Sequence, residues 1–211
     1  MSIDPVLLER RLSSDRLGPY KLATGQDFAR AVALYTWNAQ LNAALAETIG
    51  HLEVLVRNVL HEHLTAWSTA TFNESVWYRD PGRLRAGRMH QDIREARARA
   101  TRDGRAETPG KVVSELSFGF WRFLLAAAYH RSLWTPCLTR AFPGRARADV
   151  QARLALVNVA RNRCAHHEPM HNRPVDQIHA DAIDLASWLC LPMSGWIAAR
   201  TRVPRVLARR P

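Results

Sequence analysis

The stretch Val159-Ala-Arg-Asn-Arg-Cys-Ala-His-His-Glu-Pro169 gathers side chains that move protons and hold anions. An imidazole titrates near neutrality, so His166 can be an acid or a base at cellular pH. A guanidinium stays charged, and its planar fork matches two oxygens of a phosphate, which suits Arg161. Asn162 can orient the imidazole or the anion, and His167 stands next in line as a supporting residue. Acid–base help of this kind is worth roughly 10²–10⁴-fold in rate.

These residues need a helix to carry them. From Asp149 the apolar residues Val150, Leu154, Val157 and Cys164 recur at helical spacing, about 100° per residue. Arg161 falls on the same line. A guanidinium facing a core needs a carboxylate close by. Asn162 and His166 are four apart and share a face. His166 lies five positions after Arg161, about 140° round a regular helix. Pro169 disfavours helical geometry at Glu168, so His166 belongs to the last turn.

A carboxylate for Arg161 is available upstream. The segment from Asp27 to about Trp67 reads as helical, as two helices with a break near Asn38. Leu41, Leu45, Ile49, Leu52, Val56, Val59 and Leu60 form its apolar stripe. Glu53 lies within that stripe, which predicts a buried Glu53–Arg161 pair across the core. Arg57, four residues after Glu53, is the rival partner.

The remaining elements read in order. Asp4-Pro5 caps a short helix to about Leu12, and Arg16 to Tyr20 reads as a turn. Ser68 to Asp80 is a polar connection with aromatics. Asp80-Pro81 caps a helix to about Arg102, stopped by Gly104. That helix carries Arg83, Arg85, Arg88, Arg94, Arg97, Arg99 and Arg102, with thin apolar content in Leu84, Met89, Ile93 and Ala96. It is either a solvated edge helix or a contact face for nucleic-acid backbone, with Arg94, Arg97 and Arg163 as candidates. Thr108-Pro109 caps the next helix. Phe118, Phe120, Trp121, Phe123 and Leu124 read as core, and Gly119 as a kink or a close helix approach. Pro136 and Pro143-Gly144 are breaks. Pro174 to Leu191 is amphipathic through Ile178, Ala182, Leu185 and Leu189, and is closed by Pro192. The basic tail 200–211 reads as a short helix or as disordered.

Strand alternation is absent from the sequence, and so is an Asn-Gly hairpin. The reading is a single all-α domain over 1–211, with residues 1–26 as an N-terminal helix and turn and a bundle core of four to five helices flanked by peripheral ones. No apolar run approaches the ~18 residues of a membrane span, and residues at the start do not form a secretory signal. Three scattered cysteines, Cys137, Cys164 and Cys190, argue against a disulfide framework and for a reducing, cytoplasmic setting. The net charge of +11 suggests an anionic partner. It is discounted, because 28 arginines against two lysines also reflects coding composition.

Metal chemistry is not expected. His166, His167 and His171 with Glu168 match no standard zinc spacing. His61 and His63, two apart, face away from each other at what reads as a solvated helix end. No metal or other cofactor is called for, and there is no Gly-rich phosphate loop or Gly-x-Ser-x-Gly elbow.

Arg161-Asn162-x-x-x-His166 resembles the Arg-Asn-x-x-x-His signature of the HEPN superfamily of helical ribonucleases. Four blocks narrow the resemblance: Leu34-Tyr35-Thr-Trp37-Asn38, Leu52-Glu53-Val54-Leu-Val-Arg57-Asn58, Gly110-Lys111 through Phe118-Gly119-Phe120-Trp121, and the final Arg-Cys-Ala-His-His-Glu-Pro. In this order they look like the Abi-like (abortive infection) branch, over about residues 16 to 190. The resemblance implies a HEPN-like helical bundle and RNA cleavage without metal, leaving a 2′,3′-cyclic phosphate. It also implies a homodimer whose two motifs share one cleft, and a toxin or phage-defence role with a cognate antitoxin, protein or small RNA. A single histidine for two proton transfers, set apart from Arg161 on the helix, is a difficulty that two facing copies relieve. The alternatives are a catalytically silent RNA-binding module and a structural partner protein. In either, Arg161 pairs with Glu53 only to pack, and His166 only answers the helix dipole.

Overall fold

The computed structural model describes residues 3–79 and 87–211. One helix, α3 (Phe28–Phe72), sets the architecture. Its 45 residues rise 1.5 Å each and so extend roughly 67 Å. Asp27 caps it by accepting from the Arg30 N–H at 3.0 Å, and Asn73 ends it in the left-handed conformation, φ 55°. Leu41, Leu45, Ile49, Leu52, Val56 and Leu60 are buried, and Val59 is half-buried. The expected break near Asn38 does not occur. The Asn38 carboxamide is occupied by partners from elsewhere in the chain, so it does not compete for the helix's own backbone.

Two helices precede it: α1 (Pro5–Leu12), capped by Asp4, and α2 (Ser14–Ala23). The turn expected at Arg16 to Tyr20 is therefore helical, with Pro19 inside it. Leu17 and Tyr20 are buried where α2 lies against α3, and that burial outweighs the poor local propensity of Gly18-Pro19. The chain reversal sits one step earlier, at Ser13, with φ 73°.

The connection after α3 is also more apolar than its sequence suggests. Val76, Trp77 and Tyr78 are buried, and Trp77 packs on Trp121 with ring centroids 6.0 Å apart. Its indole N–H donates to His61 Nδ1 at 2.9 Å. His61 is thus a core acceptor rather than part of a solvated helix end. The Asp80-Pro81 cap and Arg83, Leu84 and Arg85 lie outside the described residues. From Gly87 the chain enters α4 (Arg88–Ala100), which buries Met89, Ile93, Ala96 and Ala100. It stops short of Arg102, at a turn where Asp103 and Gly104 both have positive φ.

Thr108 caps α5 (Pro109–Glu115) and Ser117 caps α6 (Phe118–Phe123). Phe118, Phe120, Trp121 and Leu124 are core as expected, with Phe123 half-buried against it. Gly119 permits no unusual approach: an added Cβ would meet only Ser117 Oγ, at 3.6 Å. The chain bends before it, at the extended Leu116 and Ser117.

Short 3₁₀ and π turns around Pro136 lead to α7 (Arg147–Ala165). Then follow α8 (Val175–Leu189), α9 (Leu191–Ala198) and α10 (Val203–Leu207). Pro192 does not simply close α8. It opens α9, where its missing N–H has no helical partner to lose. The tail is ordered against α3: the Trp37 indole donates to the Val206 carbonyl at 2.8 Å, and Arg202 pairs with Glu47 at 2.7 Å.

Buried side chains from Tyr20 to Val203 make one contiguous core. Helix α3 runs through it and touches α2, α6, α7 and α8, so the molecule is an all-α bundle of four to five core helices with smaller ones outside. Among the described residues no helix is long and apolar enough to cross a membrane.

Candidate active site

Helix α7 lies against α3 and α8 and buries Val150, Leu154, Val157, Ala160 and Cys164. The buried line steps through Ala160, and this displaces Arg161 from the core to its border. The Arg161 side chain is 43% exposed and Glu53 is 21% exposed. The pair forms as expected, Arg161 Nε to Glu53 Oε2 at 3.4 Å, but at the edge of the core rather than within it. The long arginine stem covers apolar surface while its head reaches water. Arg57 makes no ion pair among the described residues, so Arg161 is the carboxylate's partner.

The end of α7 has a defined stop. His166 is its C-cap, and His167 follows in the left-handed conformation with φ 54°. The His167 N–H donates to the Cys164 carbonyl at 3.1 Å, and the Glu168 N–H to the Arg163 carbonyl at 2.9 Å. That is a complete Schellman closure, with a histidine where glycine is usual. Asn162, His166 and His167 are exposed. Their side chains make no hydrogen bond or ion pair among the described residues, and they are free to meet a ligand.

The backbone beneath them is held from three directions. Arg16 of α2 donates to the His167 carbonyl at 2.7 Å. Asn42 of α3 donates to the Glu168 carbonyl at 3.0 Å, and Asn38 does so at 3.4 Å. The Asn38 Oδ1 accepts from the Met170 N–H at 2.7 Å and the His171 N–H at 3.1 Å. Arg163 grips the Pro169 carbonyl at 2.8 Å and the Glu168 carboxylate at 2.9 Å. Sequence reasoning missed Arg16 and Asn42, and took Asn38 for a helix break. Their one signal was two asparagines four apart on an otherwise apolar helix face.

The sulfur nearby is not a nucleophile. Burial pushes the Cys164 thiol up to about 11, and its S–H points at Asn42 Oδ1, 3.9 Å away. His171 is buried beneath the turn against Tyr20, ring centroids 5.0 Å apart. Burial and the Arg210 charge hold its imidazole below the ordinary histidine value. Among the described residues no three His, Cys, Asp or Glu side chains converge as a metal site.

Of the three arginines expected to meet backbone phosphates, two are engaged. Arg97 pairs with Glu107 at 2.8 Å, and Arg163 holds the turn. Arg94 is exposed and makes no ion pair among the described residues.

The Abi-like family model matches residues 10–172. The chain belongs to the Abi-like family. The match starts in α1 and ends just past the turn. It takes in Arg16, Asn38, Asn42, Glu53, Arg161 and His166, so the Abi-like portion contains both the exposed side chains and the groups that hold them. Helices α8 to α10 of this Abi-like chain lie beyond it. No curated protein and no solved structure matches the chain.

Proposed function

We propose that this Abi-like protein is a metal-independent endoribonuclease of the HEPN type, acting as a toxin or phage-defence effector of abortive infection. One observation carries the reading: the end of α7 presents Asn162 and His166 to solvent beside a turn whose backbone is fixed, with His166 five residues after a guanidinium steadied by Glu53.

In this reading an imidazole takes the proton of a ribose 2′-hydroxyl. The 2′-oxygen attacks the adjacent phosphorus, and the 5′-oxygen leaves with a proton from a second acid. The products are a 2′,3′-cyclic phosphate and a 5′-hydroxyl, with no net redox change. Arg161 neutralises the crowded phosphate. Asn162 orients it or the imidazole.

The second acid comes from a second copy of the chain. Leu156 and Val159 are 55% and 56% exposed, on the side of α7 that His166 also occupies, and border a groove of ≈ 340 Å³ whose floor of Ala160, Met170 and Ile178 is edged by Arg163, Arg173 and Asp181. An exposed apolar line ending at the imidazole suits a two-fold contact that sets two such ends together.

The test is cleavage of mixed RNA in EDTA by the wild type, His166→Ala and Arg161→Ala. Each substitution is expected to lower cleavage by about 10²-fold or more. Excess His166→Ala added to the wild type should depress cleavage beyond simple dilution if the cleft is shared, because a mixed pair holds one imidazole where two are needed. Intact RNA with the wild type, or undiminished cleavage by His166→Ala, rules the enzyme out. Binding with a steep salt dependence but no cutting would instead favour a silent RNA-binding module.

A further inference from the structure

The turn that follows α7 receives more hydrogen bonds than its own closure requires. The Schellman pair already satisfies the Cys164 and Arg163 carbonyls. Beyond it, the Asn38 and Asn42 carboxamides and the Arg16 guanidinium reach four backbone positions, His167, Glu168, Met170 and His171. They come from far off in the sequence, 126 residues away for Asn42 and 151 for Arg16.

Part of this has a plain structural reason. Met170 and His171 are buried, and their N–H groups need an acceptor. Asn38 Oδ1 supplies it. That reason does not extend to the carbonyl of the exposed His167, which water would satisfy. Nor does it explain two buried carboxamides, four apart on α3, both donating to the one Glu168 carbonyl.

What these bonds share is their position relative to the imidazoles. A residue has two soft backbone dihedrals. Holding the carbonyls of His167 and Glu168 from two different helices fixes the peptide planes on the C-terminal side of His167. The α7 closure fixes the planes on the other side. His166 and His167 are left with only their side-chain torsions. The left-handed His167, unfavourable for a residue with a Cβ, is kept in place by this grip.

We infer that Asn38 and Asn42 are positioning residues for the His166 and His167 imidazoles, acting through the backbone of the turn 166–171. The role rests on the ribonuclease reading for its purpose, but not for its test. Asn38 is the stronger member, since it holds three backbone groups and Asn42 one.

The experiment compares Asn38→Ala, Asn38→Asp and Asn42→Ala with Thr48→Ala. Thr48 is another buried polar residue of α3, bonded to the Ala44 carbonyl at 3.1 Å and to Thr201 at 2.8 Å and not to the turn. Cleavage is measured per folded molecule, and the His166 and His167 imidazole resonances are followed by NMR through a pH titration. Asn38→Ala is expected to lower kcat about tenfold or more with KM little changed, and to shift or broaden both resonances. Asn38→Asp keeps the acceptor for the Met170 and His171 N–H groups but loses the donor to the Glu168 carbonyl, and should recover part of kcat. Asn42→Ala has the smaller effect, and serves should Asn38→Ala not fold. Thr48→Ala lowers the melting temperature and leaves kcat and both resonances in place. An equal kcat loss in Thr48→Ala, or unmoved resonances in Asn38→Ala, overturns the inference. If the wild type does not cut RNA the ribonuclease reading falls, and the resonances alone decide whether the clamp positions the imidazoles.

Discussion

Two regions of the molecule are rich in polar residues, and they use them in opposite ways. Around α4 the charges are spent on one another. Arg97 pairs with Glu107 at 2.8 Å, Lys111 with Glu115 at 2.8 Å, Arg99 with Glu115 at 3.4 Å and Arg88 with Asp92 at 3.8 Å. At the end of α7 the polar groups instead grip backbone, and Asn162, His166 and His167 stay unengaged. Charge density in a sequence therefore marks α4, while the unengaged imidazoles and carboxamide sit at the end of α7. Fixed backbone with free side chains is the arrangement that catalysis needs.

The same substitution at two carboxylates sharpens the contrast most. Glu53→Gln removes the charge that steadies Arg161, and should cost between about tenfold and a hundredfold in RNA cleavage. Stability should change by no more than about 1 kcal/mol, because the pair is half exposed. Glu107→Gln does the reverse. It releases Arg97 and weakens the hold on Arg79, 3.8 Å away, so RNA retention should rise, with a salt slope steeper by about one. Cleavage kinetics and salt-titrated binding read the two effects. If Glu53→Gln cuts as well as the wild type while Glu107→Gln loses activity, the functional weight lies on α4 and the comparison is reversed.

The second prediction concerns the backbone at the end of α7. His167 holds φ 54° where glycine is the common choice. His167→Gly should relieve that strain and, after the entropy cost of glycine, stabilise the fold by about 0.5–1 kcal/mol, or about 1–4 °C in melting temperature. If a better-folded protein results and cleavage falls, the imidazole is retained for function against stability. A melting temperature that drops would show that the His167 side chain contributes packing that its exposure hides.

How much of this was legible in the sequence follows the range of the forces involved. Helices with strong periodicity, such as the α3 stripe and α7, were readable because one element's pattern suffices. The Glu53–Arg161 pair was readable because each falls on an apolar line and carries opposite charge. Its burial was not, since a step through Ala160 rotates Arg161 to the border. Local propensity misled at Gly18-Pro19 and Asn38, where contacts with other helices decide. The clamp was invisible, because a hydrogen bond from Asn42 to a backbone carbonyl 126 residues later leaves no mark on the residue that accepts it. Tail order was hidden likewise, as it depends on the Trp37 indole finding Val206.

The smallest effect expected comes from histidines held within the fold, His171 buried and His61 and His179 half-buried. His61, His171 and His179 are all held below the ordinary value of 6.5, each first by burial. For a base with a lowered pKa, the unfolded chain takes up protons at a pH where the folded one does not. Their contribution is therefore complete above about pH 6.5 and is lost as pH falls from there toward the folded values. Around His171 the charged neighbour is Arg210 of the tail, which opposes a second positive charge. His179 has Asp176 beside it, which works the other way and softens its share. Melting temperature should decline from pH 7 to pH 5, and His171→Phe should flatten part of that decline. A decline as steep in His171→Phe as in the wild type would show that the ring packed against Tyr20 beneath the turn does not carry it.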